Sequence, residues 1–175
     1  AAMAFEIVLS KSAQNQEALS LLIEAAARGA EVRVNMAHPA LAMLDTALER
    51  HAGSPPLLRA KAMLALAQGD AAKANAFAKE ALHGSTSDPE SLVVAGLVAL
   101  KGNPVESKTF FERALELDSS HPGALRGLVE AHIRCGEVGK AFTVLEKHRK
   151  NPHAFILQGE LEILCGSPER ARTVL

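Results

Sequence analysis

The sequence predicts an all-α fold, a solenoid of helix-turn-helix hairpins. Three observations carry this: an internal repeat marked by glycine, prolines at the unit starts, and small residues at matching helical positions. Gly69, Gly102, Gly136 and Gly166 recur at intervals of 33, 34 and 30 residues. Their flanks recur with them, as Ala67-Gln68-Gly69-Asp70, Leu100-Lys101-Gly102-Asn103, Arg134-Cys135-Gly136-Glu137 and Leu164-Cys165-Gly166-Ser167. Each glycine sits between two amphipathic helical stretches, and self-similarity at such a period marks a repeat architecture.

The first helix of each unit begins near Pro55-Pro56, Pro89, Pro122 or Pro152, and Asp88 and Asn151 precede two of these prolines. An N-cap oxygen followed by a proline in the first turn is a helix-start signal, because proline has no N–H to leave unsatisfied there. Seven positions before each glycine stands a small or slim residue, Ala62, Ala95, Val129 or Gly159, where a neighbouring helix can approach. The second helices share a recurrence of their own: Ala74 with Phe77 and Ala81, Ser107 with Phe110 and Ala114, Ala141 with Val144, and Ala171 with Val174.

These signals predict helix pairs over 57–68 with 71–83, 90–101 with 104–117, 123–135 with 138–150, and 153–165 with 168–175. Helices of about 11 to 13 residues are marginal alone in water, so their stability must come from stacking. The segment Gly84-Ser85-Thr86-Ser87 is short and keeps the repeat step, which reads as a turn rather than a domain linker.

A helix-turn-helix unit of about 34 residues with this placement of small residues resembles the tetratricopeptide repeat (TPR) family. The resemblance runs over residues 54–175 as four hairpins with the last truncated, and is strongest in LAQGDAAKANAFAKEAL and GNPVESKTFFERALELD. It implies a superhelical solenoid. The sequence departs from the family pattern where bulky first-helix aromatics give way to Leu58, Ser91, Leu125 and Phe155, and where His148 replaces a preferred alanine. The chain contains no Trp or Tyr.

Residues 1–53 read as a divergent N-terminal repeat or cap region. A helix is expected over 13–28, with Ala18, Leu19, Leu22, Ile23 and Ala26 on one face, and another over 40–50 after Pro39. Between them Val32, Val34 and Met36 alternate with Arg33 and Asn35, and residues 5–9 are rich in strand formers. The segment is either a strand-helix-strand unit or a divergent repeat with an irregular insert.

Net charge is −1, with no basic run interleaved with aromatics, which argues against nucleic acid or an anionic membrane as partner. The longest nearly uninterrupted apolar stretch, 92–100, is about half of what a bilayer requires. No targeting peptide is visible at the N-terminus, and a cytoplasmic location is expected, with the periplasm as the alternative. The last unit stops midway through its second helix at Leu175 without a polar cap, so the chain is expected to be part of a longer protein. Cys135 and Cys165 occupy the same place in successive units, too far apart for a disulfide, and are expected as free thiols.

The sequence offers little chemistry. His132 with Cys135 and Glu162 with Cys165 share the i, i+3 spacing that can hold a metal, but no CxxC or HxxxH spacing accompanies them, and no metal or cofactor is expected. Asp118, Ser119, Ser120 and His121 hold the residue types of a triad, yet neighbours in one turn cannot assemble its geometry. No GxSxG, P-loop or dinucleotide fingerprint is present, so no catalytic residue is assigned. His51, His83 and His148 fall near helix C-termini, where a histidine is favourable without function.

The resemblance implies a concave groove lined by the first helices, at positions ten, six, three and two before each glycine. Carried onto this chain, these are Arg59, Met63, Leu66 and Ala67; Leu92, Gly96, Ala99 and Leu100; Arg126, Glu130, Ile133 and Arg134; and Ile156, Glu160, Ile163 and Leu164. Some family members clamp a partner's C-terminal carboxylate, but those places here read Arg59, Met63, Val93, Gly123 and Gly127, so the clamp is absent. An apolar or amphipathic segment fits better, with Met63 adapting to its shape and Arg126 or Arg134 meeting an acidic group. The expected function is a non-catalytic protein-protein interaction scaffold that binds a peptide or helix in this groove. Two alternatives stand beside it: a homo-oligomerising scaffold, and the regulatory or substrate-docking arm of a larger enzyme such as a glycosyltransferase. The resemblance suggests a high-alanine bacterial protein.

Overall fold

A computed structural model describes residues 53–84 and 87–166. The expectations for residues 1–52 and for the last helix, over 168–175, lie outside them. Among the described residues there are seven α-helices and no strand. The chain divides into two compact units, Ala1–Thr86 and Ser87–Leu175. The described part of the first is the hairpin α1 (Pro55–Ala67) and α2 (Ala71–Gly84). The second contains α3 (Pro89–Gly102), α4 (Pro104–Leu117), α5 (Pro122–Arg134), α6 (Val138–Lys147) and α7 (Pro152–Leu164).

In the first unit the hairpin closes on Leu57, Ala60 and Leu64 of α1 and Ala74, Ala78 and Ala81 of α2, all buried. The alanines of α2 supply little side-chain volume, so the helix backbones can lie close. At the edge of the hairpin the Lys61 ammonium sits 4.7 Å from the centre of the Phe77 ring, a cation-π contact that also covers the ring.

In the second unit each helix packs on its sequence neighbour, and α5 also packs on α3 and α7. First helices therefore stack on first helices, one repeat apart. The recurring small residues Ser107, Ala114 and Ala141 are fully buried on the second helices, as their pattern predicted.

Proline occupies the first helical turn of α1, α3, α4, α5 and α7. The predicted caps are in place: Asp88 accepts from the Ser91 N–H at 3.1 Å and Asn151 from the His153 N–H at 3.0 Å. Asn103 caps the start of α4, its Oδ1 accepting the Glu106 N–H at 3.2 Å while its Nδ2 donates to Glu106 Oε2 at 3.2 Å. The start of α5 is capped by His121, whose Nδ1 accepts the Ala124 N–H at 3.2 Å. A histidine cap carries no strong sequence signal.

The turn glycines do not all do the same work. Gly69 (φ +78°) and Gly136 (φ +72°) are left-handed, and the following residues, Asp70 and Glu137, reach back to the carbonyls of Ala65 and His132 at 2.9 and 2.8 Å. That closure of orphan carbonyls requires a residue without a Cβ at the reversal. Gly102 is instead the last residue of α3, and Asn103 both ends α3 and caps α4. The repeat step is kept there without the left-handed turn.

The expected helix over 138–150 ends at Lys147, three residues early. The Asn151 N–H bonds to the His148 carbonyl at 2.8 Å, and Asn151 takes an extended conformation (φ −79°, ψ 123°) to cap α7. The bond from Asn151 spans three residues rather than the helical four, so 148–150 form a tighter turn that leads into the cap.

Phe111 of α4 fixes the packing of this unit. It is completely buried, and its ring lies against Gly96 of α3 and Gly127 of α5. A Cβ at Gly96 would stand 2.6 Å from the ring, and one at Gly127 would stand closer still. The two glycines form a notch that admits the ring only because they lack side chains. Gly127→Ala should destabilise the protein by about 1–3 kcal/mol through overpacking. Adding Phe111→Leu, which shortens the side chain facing the new methyl, should recover part of that loss, read by urea denaturation of the single and double variants.

Candidate functional site

A concavity on a first-helix surface lies between α5 and α7. Arg126, Val129, Glu130 and Ile133 contribute from α5, and Leu157, Glu160, Leu161 and Leu164 from α7, around a volume of about 160 Å³. Each set follows the i, i+3, i+4, i+7 spacing of one helix face, so the depression is a seam between two parallel stripes. Val129, Leu157 and Leu161 are buried and form its floor, while Leu164 is 74% exposed at its rim.

One charged pair bridges the seam, and a second lies along α5 beside it. Arg126 Nη1 and Nη2 donate to Glu160 Oε2 and Oε1 at 3.1 and 3.2 Å, a two-pronged contact between residues one repeat apart. Arg134 Nε and Nη2 donate to Glu130 Oε1 at 3.0 and 2.6 Å, and Nη1 reaches the Leu100 carbonyl at 3.4 Å. That carbonyl belongs to the last turn of α3, where no intrahelical N–H is available to it. Exposed pairs of this kind add little stability, about 0–1 kcal/mol each. Their effect is to hold the side chains flat and leave the apolar floor between neutralised charges.

Helix α5 is held at both ends by polar contacts. At its start the His121 ring must keep Nδ1 unprotonated to accept the cap hydrogen bond, so Nε2 carries the proton and donates to Glu90 Oε1 of α3 at 2.9 Å. The Glu90 carboxylate raises the proton affinity of His121, with burial acting against it. At the other end Glu137 receives Lys108 Nζ of α4 at 2.8 Å, Lys140 Nζ of α6 at 2.7 Å and the buried His132 Nδ1 at 2.8 Å. One carboxylate thus ties three helices together just after the turn.

The structure brings together part of the expected groove. Arg126, Glu130, Ile133, Glu160 and Leu164 line the α5–α7 seam, with Arg134 bonded to Glu130 beside it. Ile156 and Ile163 are exposed on α7, at 48% and 57%, but are not among the lining residues. Leu92 and Leu100 are interior, Gly96 is sealed under the Phe111 ring, and Ala99 is half-buried. The expected surface role of Leu92 and Gly96 is corrected accordingly: in α3 the core draws on almost the whole circumference of the helix. In the first unit Arg59 is buried, Met63 and Leu66 are half-buried and Ala67 is exposed. Val129, Leu157 and Leu161, which floor the seam, were not predicted, since apolar residues at those positions cannot be told from core by spacing alone.

The expectation that Arg126 or Arg134 would meet an acidic group on a partner also changes, because both guanidiniums already hold glutamates of this chain. His132 Nδ1 meets Glu137 Oε2 at 2.8 Å, and no group of three or more metal-ligating side chains occurs among the described residues. Cys135 and Cys165 are free thiols. No described helix is long and apolar enough to cross a membrane.

The same arrangement of hairpins recurs in solved structures. A thermophilic TPR protein from Thermus thermophilus superposes with a TM-score of 0.71 at 20% identity, over 97% of this chain and 86% of that one. This chain has the TPR fold. PilW, a widely conserved type IV pilus biogenesis factor, gives 0.68 at 17% identity, over 99% of this chain and 80% of that one. YrrB, a TPR protein with an unusual peptide-binding site, gives 0.57 at 18% identity, over 99% and 90%. At these identities the TPR likeness is one of fold. In sequence, 87 residues, 50% of this chain, are 30% identical to cellulose synthase operon protein C of Xanthomonas axonopodis pv. citri (strain 306). The chain spans 6% of that protein's length. No protein-family model matches the chain.

The Glu137 junction gives this TPR unit a defined acid sensitivity. Its contacts with Lys108, then Lys140 and His132, hold the Glu137 carboxyl down from 4.5 to about 2. A carboxyl lowered by folding contributes stability that is full above its unfolded value and lost as pH falls through its folded value. The melting temperature should therefore drop between pH 4.5 and about 2. Glu137→Gln should start lower at neutral pH and lose less across that interval, read by thermal melts at a series of pH values.

Proposed function

We propose that this chain is a non-catalytic protein-interaction scaffold that seats an apolar or amphipathic segment of a partner protein on the α5–α7 face. The observation that carries this is the charge pairing at the seam: Arg126 with Glu160 across it, and Glu130 with Arg134 along α5 at its edge, leave no net charge over a floor of Val129, Leu157 and Leu161. Such a surface favours a ligand that brings hydrocarbon, since a charged one would have to break an existing ion pair to gain a new one. Exposed Leu164 and half-buried Ile133 extend the apolar strip. The preorganised floor spares the scaffold most of the ordering cost on binding. Peptide recognition by the TPR protein YrrB supports the general mode without identifying the partner here.

The relative of the cellulose synthase operon favours a second, compatible reading, in which this chain is one stretch of a long repeat protein serving exopolysaccharide synthesis. In that setting the seam would dock another component of the assembly rather than act on the polymer.

Peptides selected from a displayed random library against the whole chain should be rich in Leu, Ile, Phe and Met. The double variant Ile133→Glu, Leu164→Glu should weaken the best of them by about tenfold, roughly 1.4 kcal/mol, with the helical circular dichroism unchanged. Selected peptides that bind the double variant undiminished would remove the α5–α7 face as the site.

A further inference from the structure

The start of α5 is capped by a group whose hydrogen-bonding character changes near neutral pH. The side-chain caps of α3, α4 and α7 are oxygens, from Asp88, Asn103 and Asn151, and a carboxylate or amide oxygen accepts on either side of neutrality. The cap of α5 is Nδ1 of His121. An imidazole nitrogen accepts only while it is unprotonated, and histidine takes up its second proton between about pH 5 and 8.

The ring is 8% exposed, and both of its nitrogens are engaged. Nδ1 lies 3.2 Å from the Ala124 nitrogen and Nε2 lies 2.9 Å from Glu90 Oε1 of α3. A donor faces one side and an acceptor the other, so a single state, neutral with the proton on Nε2, satisfies both. A second proton, on Nδ1, sets two N–H groups against each other and breaks the cap. The same proton leaves the Nε2 contact in place and makes it a charge-assisted bond to the carboxylate. Protonation therefore removes one contact and strengthens the other.

The surroundings confine this change to the first turn. The His121 N–H donates to the Asp118 carbonyl at 3.1 Å and the His121 carbonyl accepts the Leu125 N–H at 3.2 Å, so its backbone is held whatever the ring carries. A Cβ at Gly123 would stand 3.3 Å from Cε1, which leaves the ring little space to turn. Ala124 is fully buried, and its N–H is a first-turn donor with no intrahelical carbonyl, so losing Nδ1 leaves it without an acceptor until the turn opens. Among the described residues the charged groups acting on the ring are Glu90 of α3 and Asp118 of the α4–α5 connection, both raising its proton affinity against burial. The Ser120 hydroxyl and N–H hold the Asp118 carboxyl below the usual carboxylate range, so it keeps its charge while His121 titrates.

We propose that His121 is a proton-operated catch on α5: the neutral ring caps the helix, and the imidazolium releases the first turn while staying tied to α3 through Glu90. The released turn leads into Arg126, at the edge of the seam. The catch does not depend on whether a partner occupies that seam.

The test is amide hydrogen exchange and ring-nitrogen NMR of the whole chain between about pH 8 and 5. At the alkaline end the His121 nitrogen shifts should report the proton on Nε2. As the ring becomes charged, the protection factor of the Ala124 amide should fall by about fivefold or more, the weight of a typical N-cap. That of Leu125, bonded to the His121 carbonyl, should change less. His121→Asn supplies a capping oxygen that does not titrate, and there the Ala124 protection should stay flat across the interval. Glu90→Gln keeps an acceptor for Nε2 without the charge, and should move the midpoint of the Ala124 change to lower pH. Should His121→Asn fail to fold, the Glu90→Gln shift decides. A proton on Nδ1 at the alkaline end, Ala124 protection that does not follow the ring, or an equal change in folded His121→Asn would each overturn the proposal. An unmoved midpoint in Glu90→Gln would overturn the role given to Glu90.

Discussion

The second unit is organised by one steric fit, the ring of Phe111 lodged between Gly96 and Gly127. An aromatic side chain from a second helix has to enter the layer where two first helices run side by side, and it can do so only where both lack a Cβ. The fit sets how closely α3 and α5 approach, because the ring is completely buried and has no alternative space. Close-packed interiors transmit such a constraint rather than absorb it. The separation of α3 and α5 therefore follows from three residues, two of them conspicuous only by what they lack.

Around that contact the polar groups act as positioning devices. His121 holds the start of α5 to Glu90 of α3, and Glu137 gathers its end with Lys108 and Lys140. Arg134 reaches back to the last turn of α3. These interactions join neighbouring repeats at intervals of about 30 residues, which is how a chain of short helices gains order that none has alone. The helix held by these contacts at both ends is the one that supplies half of the candidate binding seam. Its face keeps its shape because the opposite faces of α5 are held by core and by ion pairs.

Much of the fold could be read in advance because its signals are local. Proline with a preceding Asp or Asn marked the starts of α3 and α7, and the left-handed turns at Gly69 and Gly136 stood where a reversal was expected. The site was less readable. Arg126, Glu130, Ile133, Glu160 and Leu164 were placed on one surface by their position in the repeat, and they do converge. Leu92 and Gly96 hold the equivalent positions one unit earlier and are buried instead. Position in a repeat gives the direction in which a side chain leaves its helix, but not what is packed above it. That depends on Phe111, which comes from another helix, and on residues whose identity differs from unit to unit.

The sequence alone determined that this protein is a run of short helices in pairs, where most of them begin and end, and which alanines and serines make their contacts. Those properties depend on backbone hydrogen bonding and on side-chain periodicity, both of which act over a few residues. Only the tertiary structure decided that His121 would be a cap tied to Glu90, that the arginines of the seam would be bound to glutamates of the same chain, and that Glu137 would gather three helices at one carboxylate. Each of these depends on which groups from distant parts of the chain arrive within about 3 Å of one another, and that is a product of packing rather than of pattern.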